Sequence, residues 1–415
     1  MTPEIKQRIE QIRRGEVPER YVKTALGLAP ANWKRYTFGD IYTERKEPGD
    51  ENLPLLMVSI HSGVSDGEVD AAELPKQVKR IEDKSQYKKA VSGDLVFNMM
   101  RAWQGAIGTV RTTGMVSPAY IAAEPNDKVY PLFVDYYSRT PQMINQIDRQ
   151  SYGVTDFRKR LYWDSFAPIS CTLPPIEEQQ KIATILTTQD RVIELKEKRL
   201  AEKQRQKKYL MQQLLTGKKR LPGFNGAWKT DCLDKLFFER KETNCENIEM
   251  LAITGTQGII PRKELDLKDN SSEDKSKYLR VCVGDIGYNT MRMWQGVSAY
   301  SNYEGIVSPA YTILKPSSSI NAKYFAYLFK MSEIVFLFYR FSQGLVDDTR
   351  NLKYENFKKI KVCYPPDIKE QTAIAEVLSA ADREIELLQQ DIEQEKQKKK
   401  ALMQLLLTGI VRVTV

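Results

Sequence analysis

Two stretches of this chain bring the same chemically apt side chains together. "NMMRAWQG" begins at Asn98 and "NTMRMWQG" at Asn289, so Arg101 answers Arg292 and Gln104 answers Gln295, 191 residues apart (292 − 101). Arginine can grip a guanine edge, and glutamine an adenine edge, through two parallel hydrogen bonds in a major groove. Side chains common to both copies are nevertheless poor instruments for reading different bases. We therefore read Met-Arg-x-Trp-Gln-Gly as chiefly architectural, with Trp103 and Trp294 in a core and Gly105 and Gly296 in a turn. That leaves Arg101, Gln104, Arg292 and Gln295 as contacts to backbone phosphates.

A second set of candidates lies where the copies diverge. "IHSGVSDGEVD" from Ile60 stands against "GTQGIIPRKELD" from Gly255, and "YGVTDFRKR" from Tyr152 against "QGLVDDTRN" from Gln343. In the latter pair Lys159 aligns with Arg350, while Arg158 and Arg160 add charge in the first copy only. These four are either phosphate contacts or a solvated basic loop. The shared "VSPAY" stretches are read as structural.

No arrangement for catalysis is visible. His61 is the only histidine, which excludes a Ser-His-Asp triad and a histidine-rich metal site. The phosphate-binding Gly-x-x-x-x-Gly-Lys-Ser/Thr loop is missing, as is a Gly-x-Gly-x-x-Gly after a strand. So is an Asn/Asp-Pro-Pro-Tyr/Phe motif of adenine methyltransferases. "PPDIKEQ" tempts toward a nuclease carboxylate cluster, but its partner "PPIEEQQ" lacks the aspartate and both stand at helix starts. The chain reads as a binder with no cofactor and no metal.

Composition agrees with that reading. Lys and Arg number 63 against 54 Asp and Glu, a net charge of +9, which suits a polyanionic partner. Five scattered cysteines without a Cys-x-x-Cys pair argue against disulfides and zinc. A charged N-terminal stretch without an apolar core is no secretory signal, and no run is apolar enough to span a membrane. A cytoplasmic protein is expected.

The elements that position the candidates come in duplicate. "GMVSPAY" at Gly114 returns as "GIVSPAY" at Gly305, and "SGDLVFN" at Ser92 as "VGDIGYN" at Val283, at the same offset of 191 (305 − 114). Upstream, Trp33 pairs with Trp228 and Arg45 with Arg240, at 195 (240 − 45). Downstream, "MQQLLTG" at Met211 and "MQLLLTG" at Met403 stand at 192 (403 − 211). A period this long is a duplicated domain plus a helix, outside the range of solenoid repeats. "LPLLMVSI", "IEMLAITG", "GDLVFN" and "GDIGYN" read as short strands. "LFVDYYSRTPQMINQI" and "KYFAYLFKMSEIVFLF" read as helical, and the fold class is α+β.

The helices that follow each module show a seam. Ile182, Leu186, Gln189, Ile193, Lys196, Leu200, Lys203, Lys207, Leu210 and Leu214 alternate at spacings of four and three. Shifted by 192, the register reads Ile374, Leu378, Ala381, Ile385, Leu388, Ile392, Glu395, Lys399, Leu402 and Leu406. Six of ten are apolar in the first and eight in the second, the pattern of a coiled coil with charged outer faces. Pro174-Pro175 and Pro365-Pro366 bar helix before the seam, and Gly217 and Gly409 end it. Two matched helices joined through a second copy of the module should pack antiparallel; the alternative is two helices each lying on its own module.

At "LPPIEEQQKIATIL", "YPPDIKEQTAIAEVL" and the paired "LLTG" ends, the sequence resembles the specificity subunit of type I restriction-modification systems, along essentially the whole chain. The resemblance implies two similar α/β target-recognition domains separated by two long helices packed as an antiparallel coiled coil, a pseudo-two-fold repeat. It implies residues 1–30 as an N-terminal helical segment and linker and 31–173 as the first recognition domain. A central conserved helix and linker then covers 174–225, the second recognition domain 226–364, and a distal conserved helix 365–415. Each domain would read one half of a split site in double-stranded DNA. The helices would space them and dock two methyltransferase (modification) subunits, with restriction and translocase subunits joining through the complex. Other readings of the residues are a methylation-only system's recognition subunit, a coiled-coil scaffold indifferent to DNA sequence, and a nuclease in its own right.

Overall fold

Apolar runs of three to six residues between glycines and polar turns are too short for helices, and they form strands. The computed structural model describes residues 3–24, 27–60, 63–65, 86–155, 158–245, 248–255, 258–265, 274–346 and 349–413. His61, its counterpart Thr256 and much of the divergent stretch after Ile60 lie outside the described residues. The chain forms two compact units, one of Met1–Leu195 with Ile392–Val415, the other of Lys196–Asp391. Each long helix therefore contributes one part to each unit.

The first unit is built on a four-stranded antiparallel sheet in the order Tyr42–Arg45, Tyr120–Pro125, Leu95–Asn98, Ile107–Thr109. The second repeats it as Phe237–Glu239, Tyr311–Pro316, Ile286–Asn289, Ser298–Tyr300. Strand alternation supplies two cores per sheet. Leu95 and Phe97 join the larger one, with Phe38, Phe133 and Phe166, and Val96 faces the other with Leu56 and Val116. In the second unit Ile286 and Tyr288 face Phe237, Phe325 and Phe357. Gly287 takes the place of Val96 there, because a Cβ on it would come within 2.4 Å of Ile253.

A further strand pair ties the start of each module to its end. Lys34–Thr37 pairs with Ser170–Leu173, and Lys229–Cys232 with Lys361–Tyr364. The two segments expected as helical each break into two helices, Pro131–Tyr137 with Pro141–Arg149 and Ala322–Leu328 with Ser332–Phe341. The first break has a local cause: Thr140 caps the next helix by accepting from the Met143 N–H, and Pro141 occupies its first position. In the second, Met331 turns to an extended conformation without a side-chain cap.

The central helix spans Ile176–Leu214 and the distal helix Ile368–Leu406, 39 residues each. None of the seam positions is exposed. Within the first unit the start of the central helix meets the end of the distal helix. There Gln189 Nε2 donates to Glu395 Oε2 at 2.6 Å, and Lys399 pairs with Asp190. Within the second unit Lys196 pairs with Asp391 at 2.8 Å, Lys203 with Glu384 at 2.8 Å, and Lys207 with Asp382. In the second unit partner numbers fall on the distal helix as they rise on the central one. In the first they fall from Arg412, which grips Glu178, to Glu395, which meets Gln189, so each part of the pair is antiparallel. The polar seam residues thus meet partners that fix register, the role best attested for polar groups in coiled-coil seams.

Candidate nucleic-acid interface

Met-Arg-x-Trp-Gln-Gly is the connection between the third and fourth strands of each sheet. Asn98 Oδ1 accepts from Met100 N–H at 2.9 Å, and one 3-10 turn, Ala102–Gln104, carries the chain round. Gly105 then stands at φ +102°, a left-handed conformation that glycine adopts without strain. The second unit repeats each step: Asn289 Oδ1 accepts from Met291 N–H at 2.9 Å, the turn is Met293–Gln295, and Gly296 has φ +80°. Trp103 Nε1 donates to the Met100 carbonyl at 3.1 Å and Trp294 Nε1 to that of Met291 at 2.9 Å. Both indoles are half-buried. They fasten the turn, a correction to the sequence reading that placed both in a core: Trp103 only lies against the first unit's core, and neither indole is fully buried.

The polar side chains of the turn point outward. Arg101, Gln104, Arg292 and Gln295 are exposed, and none makes a side-chain hydrogen bond or ion pair among the described residues. A neighbouring loop runs from Tyr152 to Arg160, closed by reciprocal backbone hydrogen bonds of 2.9 and 2.7 Å between those two residues. Its counterpart is closed between Gln343 and Asn351, both bonds 2.8 Å. The residue after each neck docks beside the turn, Leu161 N–H on the Met99 carbonyl and Leu352 N–H on that of Thr290, both 2.8 Å. Turn and loop thus share one side of each module.

The loop cations divide. Arg158 is exposed without a side-chain partner among the described residues. Lys159 is engaged: it donates to Asp148 at 2.7 Å and its ammonium lies 4.9 Å from the centre of the Trp103 ring. Arg160 is half-buried and donates to the Lys159 carbonyl at 2.9 Å. Arg350 lies 4.0 Å over the Tyr339 ring and donates to its hydroxyl at 2.8 Å, and Tyr339 in turn meets Trp294 edge-on. Lys159 and Arg350 therefore perform one job by different chemistry, bracing the loop against the aromatic side of the turn.

Other paired constellations escaped the sequence reading. Arg45 forks onto buried Asp94 at 2.7 and 3.1 Å, and Arg240 onto buried Asp285 at 2.8 and 3.1 Å. These carboxylates hold both arginines above their ordinary pKa. In the Pro-Pro-x-x-Glu-Gln helix start, Glu178 takes a two-pronged grip from Arg412 at 2.6 and 2.7 Å, within the first unit. Glu370 takes the same grip from Arg220 at 2.6 and 2.7 Å, within the second. Gln179 accepts from Tyr130 N–H at 2.8 Å, and Gln371 from Asn321 N–H at 2.7 Å. The Glu-Gln pair is thus a structural lock, with Glu gripped from the segment just beyond the other long helix and Gln bound to its own module. Its only sequence signal was its recurrence. Among the described residues no group of three or more His, Cys, Asp and Glu gathers as a metal site.

Two α+β modules on antiparallel helix segments thus each present, from matching turns, an arginine and a glutamine without a side-chain partner among the described residues. The model of the type I restriction modification DNA specificity domain matches residues 81–205 and again 234–397, more than half of the chain, which therefore belongs to that family. It is the DNA-recognition component of such a system and not itself an enzyme. A putative type I restriction enzyme MjaX specificity subunit of Methanocaldococcus jannaschii is 24% identical, covering 95% of this chain and 97% of that one. The MjaVIII specificity subunit of the same organism is 25% identical over 79% and 83%. The crystal structure of a type I restriction-modification S subunit from M. genitalium has a TM-score of 0.56 at 12% identity, covering 92% and 97%, a likeness of fold. No helix among the described residues is long and apolar enough to cross a membrane.

Proposed function

We propose that residues 31–173 and 226–364 each read one half of a split site in double-stranded DNA. The paired long helices set the distance between the halves and dock two methyltransferase subunits, one per repeat. Restriction and translocase subunits join through the complex, which works in the cytoplasm. One observation carries this reading: the two turns match hydrogen bond for hydrogen bond, while the loops beside them differ in residue type. A common frame with divergent projections is what one chain needs in order to mimic a dimeric reader of an asymmetric site. Arg101, Gln104, Arg292, Gln295 and Arg158 position the modules on phosphates, a sequence-independent contribution to affinity. Lys159, Arg160 and Arg350 shape the loop, with any phosphate contact secondary to their bonds within the module.

The test is co-expression with a methyltransferase subunit followed by single-molecule mapping of methylated bases. A motif of two defined halves around an unspecified spacer is expected, with no methylation by the chain alone. A single undivided motif would contradict the reading.

A further inference from the structure

Each module holds an apolar loop tip in solvent that its core does not use. Val154 is 94% exposed in the first, and Leu345 100% and Val346 58% in the second. Single exposed apolar residues are ordinary on protein surfaces. Here, however, the exposure recurs at equivalent positions of two diverged copies, and both necks are built to maintain it. A Cβ on Gly153 would lie 2.5 Å from the Lys159 backbone nitrogen, and one on Gly344 would lie 2.7 Å from that of Arg350. Each neck is therefore closed more tightly than any residue but glycine allows. Lys159 and Arg350, stacked on aromatic rings, hold each neck against its turn. The necks of both loops are held beside the turns that carry Arg101 and Arg292, which make no side-chain hydrogen bond or ion pair among the described residues.

We propose that these tips are base-reading contacts: Val154 in the first module and Leu345 with Val346 in the second pack against base edges in a DNA groove. The exposed arginines meanwhile hold the phosphates on either side. The chemistry is apolar contact of the kind a thymine methyl offers in the major groove, which charge alone cannot supply. This rests on half-site reading and deepens it. The residues common to both modules position, and discrimination lies in the tips, where valine followed by Thr155 in one copy is replaced by leucine and valine in the other.

The test uses the full chain assembled with its methyltransferase subunits, carrying Val154→Ser or Leu345→Ser. Because both side chains lie in solvent, thermal unfolding should match the parent, which separates a reading defect from a folding defect. Mapping should show relaxed preference at one or two base pairs of one half-site, with the other half intact and the rate on the parental site lowered about ten-fold. Parental motif and rate in both variants would overturn the proposal while leaving half-site reading in place. Failure of half-site reading itself looks different, since the parent motif would then not be bipartite.

Discussion

The Tyr136 hydroxyl donates to Asp190 across 2.6 Å, and Tyr327 does the same to Asp382 at 2.6 Å. Each carboxylate also pairs with a lysine of the other long helix, Asp190 with Lys399 and Asp382 with Lys207. Those ammonium groups lie 5.4 and 5.7 Å from the centres of the same tyrosine rings. Module, adjoining helix and opposing helix thus meet at one carboxylate in each unit. Burial and that carboxylate hold both phenols well above their ordinary pKa. Tyr136→Phe should cost about 1 kcal/mol in urea unfolding, one hydrogen bond with the ion pair left standing. Asp190→Ala removes both links at once and should cost more.

The Arg412–Glu178 lock should be worth more than a surface ion pair, because the Glu178 side chain is 1% exposed and the Arg412 side chain 33%. Arg412→Ala strands that carboxylate and should destabilise the first unit by about 2–3 kcal/mol. Glu178→Gln keeps an acceptor and should cost less. A double-mutant cycle measures the coupling, and additive losses would show that the grip contributes nothing of its own.

At the turn, fold and binding should separate. Gly105→Ala forces a side chain into φ +102°, at a cost of about 1–2 kcal/mol in stability. Arg101→Ala should leave stability unchanged, weaken DNA binding for every sequence, and reduce the slope of log affinity against log salt by about one. A changed methylation motif from that substitution would make Arg101 a base reader.

The helix pair should act as a ruler. A matched four-residue insertion in each long helix adds about 6 Å and just over one turn, so facing is largely kept. The methylated motif should keep both halves and lengthen its spacer by about one or two base pairs. An unchanged spacer in an active complex would mean that the helices dock partners without measuring the gap.

What could be read from the sequence was what has a short period or a clean repeat. The seam from Ile182 to Leu214 was visible because side chains three and four apart share a helix face. The short strands showed as apolar runs, and the paired turns showed by their common offset. Contacts between distant positions were hidden. Arg45 and Asp94 both stood in recurring stretches, but periodicity does not say that they meet across the sheet. Lys196, Lys203 and Lys207 stand among the polar positions of the seam, and only the fold sets Asp391, Glu384 and Asp382 opposite them. Lys159 and Arg350 aligned by position, yet their commitment to Trp103 and Tyr339 depends on tertiary packing that neither stretch encodes alone.

The most direct measurement of the central claim, that one chain carries two independent readers, is a module exchange. Residues 31–173 would be replaced by the matching module of another family member, with both long helices retained. After assembly with the methyltransferase subunits, methylated bases would be mapped at single-molecule resolution. One half of the motif should change to that of the donor, and the other half and the spacer should stay. Change in both halves, or in neither, would contradict the account.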